Sequence, residues 1–155
     1  MSVDPFTLDT NILVYAVDSL AGPRHVLATE IVDRSVDCDC RLTLQALSEF
    51  FAVVTRKRLA PMAGVAAQVT EWLSLFPTMT ASADAVRAAL AHAVAGRASY
   101  WDALLIETAA EGGCAIVLSA DLQNGARLGA VSILNPFEGD QIAPMAERLL
   151  GARPT

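Results

Sequence analysis

Soft metal ligands are scarce in this chain. Its three cysteines, Cys38, Cys40 and Cys114, form an odd set, and Cys38 and Cys40 are one residue apart, too close for a comfortable structural disulfide. Reduced thiols in a reducing compartment are expected. Only His25 and His92 stand beside them, in no recognisable pair spacing, so a zinc site is excluded and both histidines are read as incidental. No apolar run reaches the roughly 18 residues of a membrane span, because charged residues interrupt each one. The opening Met1-Ser2-Val3-Asp4-Pro5 does not read as a signal peptide. The expected location is therefore cytoplasmic, with no membrane partner. Positive charge is scarce as well: 11 Lys and Arg, of which Lys57 is the only lysine, stand against 17 Asp and Glu, for a net charge of −6. Such a chain does not grip nucleic acid through its overall field, which normally needs a basic face. The objection weakens if several acids share one site, where divalent ions invert the local sign and bridge to phosphate oxygens.

What is present is a chain of 155 residues, 54% hydrophobic, long enough for one full core and without a compositional break that would divide it. Short apolar runs at 6–8, 41–44, 78–80, 114–118 and 131–134 read as strands. Between them lie helical patterns at 10–17 and 24–35, then one running through Glu49 to Arg58. A fourth carries Val65, Val69, Trp72, Leu73 and Phe76 on one side, and two more follow at 84–94 and 99–111. The alanines of 84–94 point to close helix packing, and Trp72, at helical spacing with other apolar residues, belongs in the core. This alternation predicts an α/β fold, a mostly parallel central sheet with helices on both faces in three α/β/α layers. The domain is expected over 1–137, with 138–155 as a C-terminal extension carrying a short helix from Pro144 to Leu150.

Four acids stand out by position. Asp9 and Asp121 follow apolar strands closely, while Glu49 and Asp102 lie near helix starts. In a parallel sheet, all four gather at the edge where the strands' carboxyl ends lie, which is where open α/β sheets bind ligands. Each has an ordinary explanation alone. Asp9 is a good helix N-cap, Glu49 is favoured by the helix dipole, and Asp102, three residues after Ser99, completes a capping-box pattern. Against a merely solvated Asp102, its neighbours Leu105, Ile106 and Ala109 place it on the buried face, with Glu107 and Glu111 opposite. A carboxylate aimed inward with no cation nearby costs several kcal/mol (order of magnitude) unless it is neutralised or meets a metal ion. Capping explains each acid singly and the set poorly.

The blocks Leu8-Asp9-Thr10-Asn11, Ser48-Glu49-Phe50, Tyr100-Trp101-Asp102-Ala103-Leu104 and Leu118-Ser119-Ala120-Asp121-Leu122-Gln123 resemble, in order, the signature of the PIN-domain nucleases, and most closely the VapC-type toxin ribonucleases. The resemblance covers about residues 6 to 137. It implies an acidic quartet of Asp9, Glu49, Asp102 and Asp121, with Thr10, Asn11 and Ser119 in support, cleaving RNA to leave 5′-phosphate ends. The partners it implies are RNA, a cognate antitoxin of a toxin–antitoxin system, and a second copy of the chain in a homodimer. Ala120 departs from the pattern, since many relatives carry a second acid beside Asp121, and charge at that corner is reduced.

Carboxylate oxygens without histidine or thiolate select hard ions, so Mg²⁺ or Mn²⁺ is the expected cofactor and metal-assisted phosphodiester hydrolysis the expected reaction. Asp9, Asp102 and Asp121 are assigned to the ion, and Glu49 to a second ion or to the attacking water. Arg56, Lys57 and Arg58 are the candidate RNA-backbone contacts, although positive charge at a helix end is ordinarily a dipole effect. A phosphotransferase of the haloacid-dehalogenase type wants a second aspartate where Asn11 stands. A receiver domain wants a strand-end lysine, and Lys57 lies at a helix end. The remaining alternatives are a PIN ribonuclease outside any toxin system and a degenerate PIN domain that only binds RNA or protein.

Overall fold

The computed structural model describes residues 4–151; the first three and last four residues, which complete the expected ranges 1–137 and 138–155, lie outside the described residues. Strand β1 (Phe6–Leu8) pairs in parallel with β4 (Ile116–Leu118), Phe6 opposite Ile116 and Leu8 opposite Leu118. Strand β4 pairs in parallel with β6 (Val131–Leu134), and β5 (Arg127–Leu128) closes that edge antiparallel to β6. The order is β1-β4-β6-β5. On the free side of β1, a parallel bridge joins Phe6 to Cys40, and the chain runs on into β2 (Leu42–Thr43), itself parallel to β3 (Thr78–Met79). The sheet is thus mostly parallel, as the alternation predicts.

Its two faces follow from the strand period of two. Phe6, Leu8 and Leu118 point to one side, where they meet α1 (Thr10–Tyr15), α2 (Pro23–Ser35), α3 (Leu44–Arg56) and α4 (Met62–Leu75) through Ile12, Ile31, Phe50 and Trp72. Trp72 is buried, its ring 4.8 Å from that of Phe50. Val117, Val131 and Ile133 point the other way, onto Leu105, Ile106 and Ala109 of α6 (Tyr100–Glu111). Helix α5 (Ala83–Val94) lies on α6 through Ala85 and Ala89 against Ala103 and Leu104, the close approach that small side chains permit. Three layers result.

Helix starts obey local chemistry. The hydroxyls of Thr43, Ser82 and Ser99 accept the third helical N–H of α3, α5 and α6, from Ala46, Ala85 and Asp102. Helix α3 ends with Arg58 in the left-handed region at φ 55°, Arg58 N donating to Thr55 O and Leu59 N to Val54 O. This is the turn that a glycine would make without steric cost.

After β6 comes a hairpin of β7 (Phe137–Glu138) and β8 (Gln141–Ile142), then α7 (Pro144–Leu150). Phe137, Ile142, Ala146, Leu149 and Leu150 pack in the same core as Phe6 and Leu8. Buried Arg34 of α2 fastens this segment, donating to Gly151 O at 2.6 Å and pairing with Glu147 at 3.0 Å. Among the described residues, no helix is long and apolar enough to cross a membrane.

Candidate functional site

Parallel pairing of β1 with β4 sets Asp9 and Ser119, the first residues beyond Leu8 and Leu118, next to each other. The ladder continues past both strand ends, with Asp9 N donating to Leu118 O at 2.9 Å and Ser119 N to Leu134 O at 3.0 Å. The Asp9 carboxylate accepts from Thr10 N at 2.7 Å, from Ser119 Oγ at 2.8 Å and from Asn11 Nδ2 at 3.2 Å. Asp9 stands at the N-cap of α1, yet it bonds the first helical N–H, where a working cap reaches the second or third. The contacts fix the carboxylate more than they fix the helix.

Ser119, fully buried, also accepts from Asn11 Nδ2 and from the N–H groups of Asp121 and Leu122, while Asn11 Oδ1 accepts from Ala120 N at 3.1 Å. These bonds shape the loop that carries Asp121. On the other side, Thr10 Oγ1 donates to Glu49 Oε2 at 2.9 Å, and Gln45 Nε2 donates to Glu49 Oε1 at 2.9 Å and to Trp101 O at 3.2 Å. Gln45 therefore ties α3 to the start of α6. Its signal in the sequence is its place one helical turn before Glu49, and sequence reasoning passed over it. Asp102 donates its N–H to Ser99, but the returning capping-box bond is absent and its carboxylate accepts no hydrogen bond among the described residues.

All four acids line one cavity of about 440 Å³, with Thr10 and Asn11. Arg56 and Lys57 line it too, along with Tyr15 and Asp18, whereas Arg58 faces a separate hollow beside Pro61 and Met62. His25 and His92 line neither hollow. Among the described residues, none of the four acids is ion-paired with Lys or Arg. Burial pushes the Asp9 carboxyl above its usual range; the bonds from Ser119 and Thr10 pull it down, and the charges of Asp102 and Glu49 push it further up. A cation in the cavity would relieve both the desolvation and the repulsion.

The donor set is oxygen only, which suits a hard divalent ion. Among the described residues, no three His, Cys, Asp or Glu side chains close into a finished coordination shell. Mg²⁺ does not require one: it keeps several waters and is held by one or two carboxylates together with substrate phosphate. The residues fit a hard ion of this kind, Mg²⁺ or Mn²⁺, and fit the softer metals that seek thiolate or imidazole poorly.

The PIN domain model matches residues 6–125. No curated protein sequence matches the chain. Among solved structures, the chain is similar to Mycobacterium tuberculosis VapC20, a sarcin-ricin loop cleaving toxin, at 17% identity and a TM-score of 0.61, over 75% of this chain and 91% of that one. It is similar to a chain of a toxin-antitoxin complex from Klebsiella pneumoniae at 18% identity and 0.60, over 85% and 98%. It is similar to a chain of DNA-bound VapBC from Salmonella typhimurium at 16% and 0.60, over 86% and 97%. At such identities the likeness is one of fold.

Proposed function

The chain belongs to the PIN-domain family, and on that premise we propose that it is a divalent-metal-dependent ribonuclease acting as the toxin of a toxin–antitoxin pair. The observation that carries the proposal is the cavity in which Asp9, Glu49, Asp102 and Asp121 meet, none of them ion-paired with Lys or Arg among the described residues. Similarity of fold to VapC20 and to chains of two toxin–antitoxin complexes supports an RNA substrate and an antitoxin partner.

Asp9, Asp102 and Asp121 would hold Mg²⁺ or Mn²⁺. When bound, the ion lowers the pKa of a water and neutralises charge developing on phosphorus. The chain's own residues do the positioning. Ser119, Asn11 and the Thr10 N–H hold the Asp9 carboxylate in one orientation, so little order must be gained when substrate arrives. Thr10 and Gln45 each donate to one oxygen of Glu49, leaving that carboxylate lone pairs to orient a water or take a second ion. The Asp102 carboxylate, which accepts no hydrogen bond among the described residues, turns to its ligand without breaking one.

The test is cleavage of RNA with Mg²⁺ or Mn²⁺, with chelator, and by Asp102→Asn. Chelator should abolish cleavage, and the substitution should cost about a hundredfold or more. Undiminished cleavage in chelator or by the variant would overturn the proposal. Purification from the native host should recover a small companion protein, and a free, active chain would count against the toxin role.

A further inference from the structure

The cationic side chains are distributed unevenly. Arg34, Arg41 and Arg87 are paired with carboxylates, and Arg24 lies over the rings of Tyr15 and Phe137. Among the described residues, Arg56, Lys57, Arg58, Arg97, Arg127 and Arg148 have no carboxylate partner. Arg56 and Lys57 line the acidic cavity, and Arg97 and Arg127 line a second groove of about 230 Å³. The two hollows share a wall: Asp102 and Leu122 line both. Four of the unpaired cations thus flank the carboxylates on two sides in a chain whose net charge is −6.

The second groove has the chemistry of a strand-binding surface. Its lining combines the apolar Ile106, Leu122, Leu128 and Ile133 with Arg97 and Arg127. Arg97 is held in place, its Nε donating to His92 Nδ1 at 2.9 Å, with His92 Nε2 in turn 2.9 Å from Glu107 Oε1. Among the described residues, the terminal nitrogens of Arg97 have no hydrogen-bond partner. The side chain of Arg127 makes no hydrogen bond or ion pair among the described residues. A planar guanidinium fixed at one nitrogen and open at the others matches a phosphate oxygen pair, while the partly exposed Leu122 and Leu128 offer apolar contact to a base.

We infer that this groove is a substrate subsite: single-stranded RNA runs from the acidic cavity across Asp102 and Leu122 onto Arg97 and Arg127, which hold the phosphates flanking the cleaved bond. The inference rests on the ribonuclease reading above and adds the substrate's path to it. Arg56 and Lys57 hold the strand on the other side of the carboxylates.

The experiment measures binding and cleavage separately. Binding of a fluorescein-labelled single-stranded RNA of about twelve nucleotides is titrated in chelator at several salt concentrations. The proteins are wild type, Arg97→Gln, Arg127→Gln, the double variant, and Arg148→Gln as a cation away from both hollows. Each groove substitution should weaken binding several-fold and flatten the dependence of log affinity on log salt by about 0.7, the single-strand value for one phosphate contact. The double variant should show about twice that, with Arg148→Gln like wild type. Cleavage at limiting RNA should fall in step with binding, and cleavage at saturating RNA should change little. An unchanged salt slope in the double variant, with wild type cleaving RNA, would overturn the groove assignment alone and would leave the groove to a protein segment. Wild type that binds with the expected slope but never cleaves would overturn the ribonuclease reading and leave the groove as an RNA site. Wild type that fails to bind in chelator overturns the groove assignment, and one that also fails to cleave with Mg²⁺ or Mn²⁺ overturns both.

Discussion

Thr7 sits in the middle of β1, fully buried, and its hydroxyl has no hydrogen-bond partner among the described residues. A buried, unsatisfied hydroxyl costs about 1 to 3 kcal/mol. Thr7→Val removes the hydroxyl and keeps the branched shape that strands favour, so it should stabilise the fold by about 1 kcal/mol in urea unfolding. A loss of stability would mean that the hydroxyl is satisfied after all. Two residues on, Asp9 is a carboxyl whose burial, together with the charges of Asp102 and Glu49, disfavours its charged form despite the bonds from Ser119 and Thr10. Its value in the folded state lies above the ordinary one, so the folded chain holds that proton more tightly than the unfolded chain. Asp9's contribution to metal-free stability is thus fully present in acid and is lost as pH rises from the ordinary carboxylate range through the raised value. Asp9→Asn also disturbs the bonds to Ser119 and Asn11, an offset that does not vary with pH. In chelator, the stability of the variant relative to wild type should therefore improve as pH rises from acid to neutral. A trend of the opposite sign, followed by thermal unfolding at several pH values, would contradict the burial and repulsion assigned to Asp9.

The turn that closes helix α3 holds one residue in a conformation its side chain resists. Arg58 occupies the left-handed turn at the helix end, and Arg58→Gly should stabilise the protein by up to about 1 kcal/mol. Since Arg58 faces away from the acidic cavity, the same change should leave RNA cleavage as it was, in contrast to changes at Arg56 or Lys57. Helix α7 depends on a partner far away in sequence. Arg34→Met keeps the aliphatic stem but gives up the bond to Gly151 and the pair with Glu147, for a loss of about 1.5 kcal/mol. Amide exchange should then rise across α7 first; a uniform rise over the molecule would contradict the local role. These elements also mark what a sequence can disclose. The three parallel strands of the central sheet, their helices and the acids at their ends were legible because period and capping chemistry are local. The two-residue strands β5, β7 and β8 are too short to show a period of two. The packing of Ile142, Leu149 and Leu150 against the core that holds Phe6 depends on contacts across the whole chain, which no local pattern encodes. The Gln45 bond to Glu49 and the groove of Arg97 and Arg127 likewise exist only once α3, α6 and β5 are in place.

At the scale of the molecule, a sheet with three parallel strands collects carboxylates at one edge, and the same folding leaves cations beside them in an acidic chain. Repulsion among the acids is tolerated in the metal-free protein because Ser119, Asn11, Thr10 and Gln45 hold two of them by hydrogen bonds. The claim on which the rest depends is that this cavity holds a divalent ion. Asp102 tests it most cleanly, since its carboxylate has no hydrogen bond to lose among the described residues. Thermal unfolding of wild type and Asp102→Asn is measured in chelator and in saturating Mn²⁺ at matched ionic strength, so that screening does not imitate binding. At a hundred times its dissociation constant, an ion that binds only the folded state adds about 2.7 kcal/mol. For a domain of this size that raises the melting temperature of wild type by about 5 to 10 °C. The predicted result is that wild type gains this increment and Asp102→Asn loses most of it. An equal gain in both proteins, or none in wild type, would contradict the metal site.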